Sequence, residues 1–231
     1  MKRGDLLCIL YITALFVPFL VSDDLYRFYL TFNSEHGFIA GFVKFSLLAT
    51  FGEVVGLRIR TGSYDLKGFG LLPKALVWGF LGISIKAAFM IFQAGTVSVL
   101  EYAGINNATD LLAGQFSGGK IVAAFTVSLF LNLVFSPVLM TFHRLTDAQI
   151  TEHCGSVFSL VKPFRFKEKL EKIDWGMHWG FVLKKTIPFF WIPAHTVTFI
   201  LPSDFQVLFA ACLGVALGVI LAFAAGKRSR N

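Results

Sequence analysis

Seven side chains in this sequence combine chemical reactivity with an apolar setting: Lys44, Glu53, Lys86, Gln93, Asn132, His195 and Thr198. A polar group inside hydrocarbon is costly unless it faces a protein interior or water, so each is a candidate for lining a solute pathway. Gly79, Gly82, Lys86 and Gln93 follow one another at spacings of three, four and seven, which puts them on one helix face. At the helical rise Lys86 sits about 14 Å inside the outer end of its apolar stretch, too deep for easy snorkelling. Lys44 lies about 10 Å in from the same side. Asn132 falls near the middle of its stretch, and Trp191, His195 and Thr198 share a face of theirs. Glu53 lies about 6 Å from the inner boundary, where Lys74 or Arg58 is its natural partner. The cationic groups Lys44, Lys86 and His195 toward the outside predict a preference for anionic solutes.

Other chemistry finds no footing. There is no G-x-S-x-G, HExxH or P-loop and no pair of intramembrane carboxylates. His153 and Cys154 are adjacent, without the geometry of nucleophile and base. His195 has no His or Cys at ligand spacing, so neither a metal nor another cofactor is expected. Cys8, Cys154 and Cys212 are too dispersed for a disulfide framework. These absences speak against an enzyme.

The elements that must position these residues are six apolar stretches, at 6–21, 37–57, 71–95, 121–142, 187–201 and 205–225. A chain of 231 residues with mean hydropathy +0.69, 55% hydrophobic and 15% charged, is a membrane protein rather than a soluble domain. A crossing needs about 20 apolar residues, so six helices leave room only for connections. Basic residues fall on alternate gaps. Lys2 and Arg3 precede the first stretch; Arg58, Arg60 and Lys67 follow the second. Arg144, Lys162, Arg165, Lys167, Lys169 and Lys172 follow the fourth, and Lys227, Arg228 and Arg230 end the chain. Basic loops stay on the cytoplasmic or matrix side. The expected fold is therefore all-α: one membrane domain of six spans over residues 1–231, with both termini inside. The first stretch, within residues 1–36, reads as an uncleaved signal-anchor span, because no A-x-A-like site precedes Asp23 and Asp24. The net charge of +7 is spent on topology, so anionic headgroups rather than nucleic acid are the expected partner.

One connection differs from the rest. Phe166, Leu170 and Ile173 recur at helical spacing opposite Lys167, Glu168, Lys169, Glu171 and Lys172. That pattern predicts an amphipathic helix lying on the inner leaflet across 164–179. Within the stretches, Ala210, Gly214, Gly218 and Ala222, and Ala124, Ser128, Asn132 and Ser136, repeat every four residues. Such faces let helix backbones approach closely, within the chain, in a homo-oligomer or against partner helices.

Several of these residues occur together in a familiar order: Gly52-Glu53, then Gly82, Lys86 and Phe89, then Asn132 with Ser136-Pro137, then the run from Phe190 through Trp191, Pro193, His195 and Thr198 to Pro202. This resembles the twenty-two-kilodalton peroxisomal membrane protein family, the Mpv-seventeen group, in a divergent, bacterial-type branch. The likeness covers about residues 38–225. The chain departs from the family pattern at Glu53, where Gly-Asp is usual, at Lys86 and Ala88, where His and Trp are usual, and at His195 and Thr198, where Gln and Asn are common. The resemblance implies a helical membrane fold and a weakly selective pore, without naming a solute. The expected function is a channel-like or transport pathway for small anionic solutes in a bacterial plasma membrane, with an organelle inner membrane as the other setting. The competing expectation is a structural or assembly protein that docks partner helices on its small-residue faces.

Overall fold

The computed structural model describes residues 3–228, with side chains from 4 to 219. Lys2 and Arg230 lie outside the described residues, and the side chains of Arg3, Ala222, Lys227 and Arg228 lie outside those described. Among the described residues the fold is all-helical, with no strand. Four helices are long and apolar enough to cross a membrane: Gly4–Val21, Gly37–Thr61, Leu71–Tyr102 and Gly118–Glu152. These match the first four predicted stretches. They make the chain compatible with a multi-pass membrane protein. Large apolar side chains such as Leu10, Phe80, Ile91, Val122, Val138 and Phe189 cover the outside, where lipid can take them.

The elements run as α1 (Arg3–Val21), α2 (Asp23–Glu35), α3 (Gly37–Thr61), α4 (Leu71–Tyr102), α5 (Ala108–Ala113) and α6 (Gly118–Phe130). A π-helical turn, Leu131–Phe135, joins α6 to α7 (Ser136–Glu152). After α8 (Phe166–Glu171) and α9 (Trp175–Met177), a π-helical stretch His178–Trp191 leads into α10 (Ile192–Ile200), and α11 (Ser203–Arg228) ends the chain. The fifth predicted stretch is thus part of a longer, unevenly wound helical run. Pro188 and Pro193 have no N–H to give to the preceding turn, and wider winding around them is the expected response.

Helix α3 is the axis of the bundle, packed between α4 and α11. Glycine makes both contacts possible. A Cβ on Gly52 would sit 2.8 Å from the Cα of Val215 in α11, and one on Gly41 would sit 3.0 Å from the carbonyl oxygen of Gly82 in α4. On the small-residue face of α11, Ala210 is buried and a Cβ on Gly218 would sit 3.2 Å from the Gly52 carbonyl oxygen of α3. The face of α6 is taken up inside the chain: Ala124, Ser128 and Asn132 are fully buried, and the Ser128 hydroxyl donates to the Ile192 carbonyl of α10 at 2.7 Å. The core gathers Phe45, Leu48, Phe89, Val127, Leu131, Phe199 and Ala211 between these helices.

Two connections depart from expectation. The predicted interfacial helix over 164–179 does not form as one element. It is reduced to six-residue α8, a turn and the start of the next helix, which Asp174 caps by accepting from Met177 N–H at 3.0 Å. Lys169, assigned by its spacing to the solvent face, is buried and ion-paired to Glu152 of α7. Tertiary pairing overrides the amphipathic pattern there. Conversely, α2 was not anticipated. Ser22 caps it by accepting from Leu25 N–H at 3.4 Å, with Asp23 and Asp24 in the first turn, a start signal that the sequence carries plainly.

Candidate functional site

Glu53 is the centre of the densest polar cluster. One turn inside the inner end of α4, Lys74 places its ammonium 2.6 Å from Glu53 Oε2 and also pairs with Asp147 of α7. Trp78, four residues on, donates its indole N–H to Glu53 Oε1 at 2.6 Å. His143 of α7 approaches the same oxygen through Nε2 at 3.1 Å, its ring 4.3 Å from that of Trp78. A carboxylate only accepts, so His143 Nε2 carries the proton in this contact. Three helices thus converge on one side chain. Of the two partners expected for Glu53, Lys74 is the one found; Arg58 pairs instead with Asp5 of α1 at 3.1 Å. His143, Asp147 and Trp78 were not singled out from the sequence. The spacing of His143 and Asp147, i and i+4 at the inner end of a crossing, was the available signal.

This cluster borders a cavity of about 850 Å³ that opens on the basic side of the bundle. Arg60, Lys67, Arg144 and Asp174, all exposed, stand at its rim. Its wall rises past Glu53, Lys74 and His143 to Phe45, Ile85, Phe89, Leu131, Trp191 and His195. Phe45, Phe89 and Leu131 are almost completely buried, so this end is closed by packed core. The shape is a one-sided vestibule.

Behind the closed end lies a second, uncharged cluster. Asn132 is fully buried on the π-helical turn. Its Nδ2 donates to the Ser128 carbonyl at 2.8 Å, and its Oδ1 accepts from Ser136 Oγ at 2.9 Å. His195 Nδ1 lies 3.1 Å from the same Oδ1, so Nδ1 is the protonated nitrogen and Nε2 is left as an acceptor. The ring stacks on Trp191 at 5.2 Å and meets Phe89 edge-on at 5.8 Å. His195 and Ser136 line the vestibule; Asn132 does not. Thr198, also fully buried, only donates to the Ala194 carbonyl of its own helix at 3.0 Å.

The remaining candidates lie elsewhere. Lys86 does not join the vestibule. It borders a separate pocket of about 340 Å³ at the other end of the bundle, with Asn33, Glu35, Gly37, Met90 and Asp204. Its Cβ is one turn inside the neighbouring helix α3, 3.6 Å from where a Cβ on Gly41 would be, and its stem runs toward the end of the bundle, with Cε 3.0 Å from a Cβ on Gly37. This is the snorkelling that depth along its own stretch argued against. Two carboxylates, Glu35 and Asp204, share its pocket. Lys44 is buried and donates to Asn33 Oδ1, with its ammonium 4.8 Å from the centre of the Tyr29 ring. Asn33 and Tyr29 in turn donate to the Asp204 carbonyl, at 3.3 and 2.8 Å. Gln93 bridges α4 to α11 by donating to Gln206 Oε1 at 3.2 Å. The seven candidates therefore divide into an inner group, a central group and an outer group.

No family model, curated protein or solved structure matches this chain.

Proposed function

We propose that the chain is a six-span membrane protein that carries small solutes through its own bundle, in a state open to the cytoplasmic side and closed to the other. On this reading residues 175–200 and α11 supply the fifth and sixth crossings, and both termini lie with the basic loops. The resemblance to the twenty-two-kilodalton peroxisomal membrane protein family, and a bacterial plasma membrane as its setting, belong to the same proposal. The observation that carries it is the vestibule. A charged-rimmed cavity that enters a lipid-facing bundle and stops at an aromatic layer is the form of half a permeation route, with Lys86 and its pocket at the opposite end. Polar residues inside a membrane otherwise need a reason to be there.

Charge at the two ends supports anions as the solute. Arg60, Lys67 and Arg144 have no ion-pair partner among the described residues, and neither has Lys86. The carboxylates at the inner rim are more engaged: Asp65 accepts from the Lys67 backbone N–H and Asp174 from that of Met177, both at 3.0 Å. The assembly alternative drew on small-residue faces; that of α6 is buried inside the chain, and Ala210 of α11 is buried as well, which favours the pathway. Reconstitution into liposomes tests it. Protein-dependent flux of small anions above that of cations is expected, with the anion-to-cation ratio reduced in Lys86→Ala and in Arg144→Ala. Unchanged ratios in both variants would remove the anion preference, and liposomes no leakier than protein-free ones would remove the pathway.

A further inference from the structure

We propose that the vestibule binds amphiphilic anions, a carboxylate or phosphate head on an alkyl chain, with the head at the rim and the chain pointing inward. This rests on the reading of the vestibule as the inner part of a solute route and names the class of molecule it takes. The rim and the interior differ in kind. At the rim, Arg60, Lys67 and Arg144 are exposed and outnumber the exposed carboxylates there, Asp65 and Asp174; among the described residues none of the three cations is ion-paired, so an anionic head meets cations that need not give up another partner. Further in, Phe135, Leu139, Met140, Phe181 and Val182 make an apolar wall, and Phe45 and Phe89 close the end. The charges of Glu53, Lys74 and Asp147 are spent on one another and leave no open carboxylate or ammonium pair to hold a small hydrated ion. Such an ion can pass this wall but finds no group on it that would hold it. An alkyl chain gains there by leaving water.

Length agrees with this. The cavity follows α3 from Arg60 to Phe45, about 22 Å at the helical rise, which is the reach of an extended chain rather than of a compact metabolite. Trp78 and Trp191 line it and provide a built-in reporter.

The test uses the full chain in phosphatidylcholine nanodiscs, with the exposed Trp175 and Trp179 changed to Phe so that emission comes from the two vestibule tryptophans. Brominated dodecanoate should quench this emission saturably. The apparent affinity should fall about tenfold in Arg60→Ala/Arg144→Ala, the expected scale for losing charge-assisted contacts, and recover in Arg60→Lys/Arg144→Lys. Brominated dodecanol or a brominated dodecyl ammonium quenching as strongly as the anion would overturn the proposal, because simple partition into the bilayer would then explain it. Brominated phosphatidate placed in the bilayer separates the two sources of the same head chemistry. Quenching by it alone identifies a membrane lipid, and quenching by aqueous dodecanoate alone a free amphiphile. Flux keeps the two readings apart. Liposome flux of chloride without quenching rejects the amphiphile and keeps the pathway; quenching without flux of chloride or dodecanoate does the reverse.

Discussion

The inner cluster around Glu53 and the central cluster around Asn132 are both built by side chains from different helices, yet one is ionic and the other neutral. The inner one holds two carboxylates, an ammonium and an imidazole at the wall of an open cavity. The central one holds an amide, two hydroxyls and an imidazole in packed core. The contrast follows from dielectric. A charge near a cavity mouth keeps part of its solvation, while a charge sealed in the middle of a bundle loses it all and must be repaid by its partners. Neutral hydrogen-bonding groups carry a smaller desolvation cost and can be fully satisfied without water. Polarity alone therefore does not mark a wet passage. The central cluster is a clamp joining α6, the π-helical turn and α10, and on the proposed function the inner cluster is the part that meets solute.

The largest effect should come from breaking the inner cluster on its cationic side. Lys74→Ala leaves Glu53 and Asp147 facing each other without their shared ammonium, with His143 and the Trp78 indole N–H still in contact with Glu53. A loss of about 3–5 kcal/mol is expected, read as a lowered midpoint in thermal unfolding of the detergent-solubilised protein. Adding Glu53→Gln should restore part of it, because the surplus negative charge is then removed. If the double variant is no more stable than Lys74→Ala alone, the cluster is not held by charge balance and the contrast with the centre fails.

A smaller loss is expected at the centre. Asn132→Leu keeps the branched shape, with somewhat more bulk, but strips His195 Nδ1–H and Ser136 Oγ–H of their acceptor. About 1–2 kcal/mol is expected, since hydrogen bonds between helices in membranes are individually modest. Solute selectivity should stay as in the parent protein. A change in the anion-to-cation ratio in this variant would move Asn132 from the clamp into the pathway and erase the distinction between the two clusters.

How far the sequence reveals this arrangement depends on the range of the interaction. Apolar length is a local signal, so the four long helices were legible. The Glu53–Lys74 pair was legible for the same reason, because α3 and α4 are antiparallel neighbours joined by a short connection. His143 and Asp147 come from a third helix about 90 residues away from Glu53, and no local pattern announces which face of α7 turns inward. Lys86 departs from its expected depth for a geometric reason: α4 overruns α3, which puts Lys86 Cβ beside Gly41, and the stem covers the last turn to Gly37. Lys169 was misplaced because one buried ion pair outweighs the periodicity of a six-residue helix.

Next in size comes a pair outside both clusters. Arg58 and Asp5 tie α1 to α3 at the inner surface, each about a quarter exposed. Arg58→Ala should lower the unfolding midpoint less than either change above, and the loss should shrink in high salt, as for other partly exposed pairs. A cost as large as that of Lys74→Ala would mean that exposure is not what separates strong from weak ion pairs in this molecule.

The smallest effect is expected at Thr198, and it bears on the comparison most directly. Thr198 is as buried as Asn132 and lies on the same helix as His195, so by depth alone it would belong to the same functional set. Its hydroxyl, however, only returns to the Ala194 carbonyl one turn back, a bond that holds no second helix and leaves nothing unpaired when removed. Thr198→Val fills nearly the same space with a methyl group. Its unfolding midpoint should stay within about 0.5 kcal/mol of the parent, and its flux should be unaltered. A destabilisation matching that of Asn132→Leu would show that burial, not partnership across helices, decides what a polar group contributes at this depth. The separation of clamp from pathway would then rest on Asn132 and His195 alone.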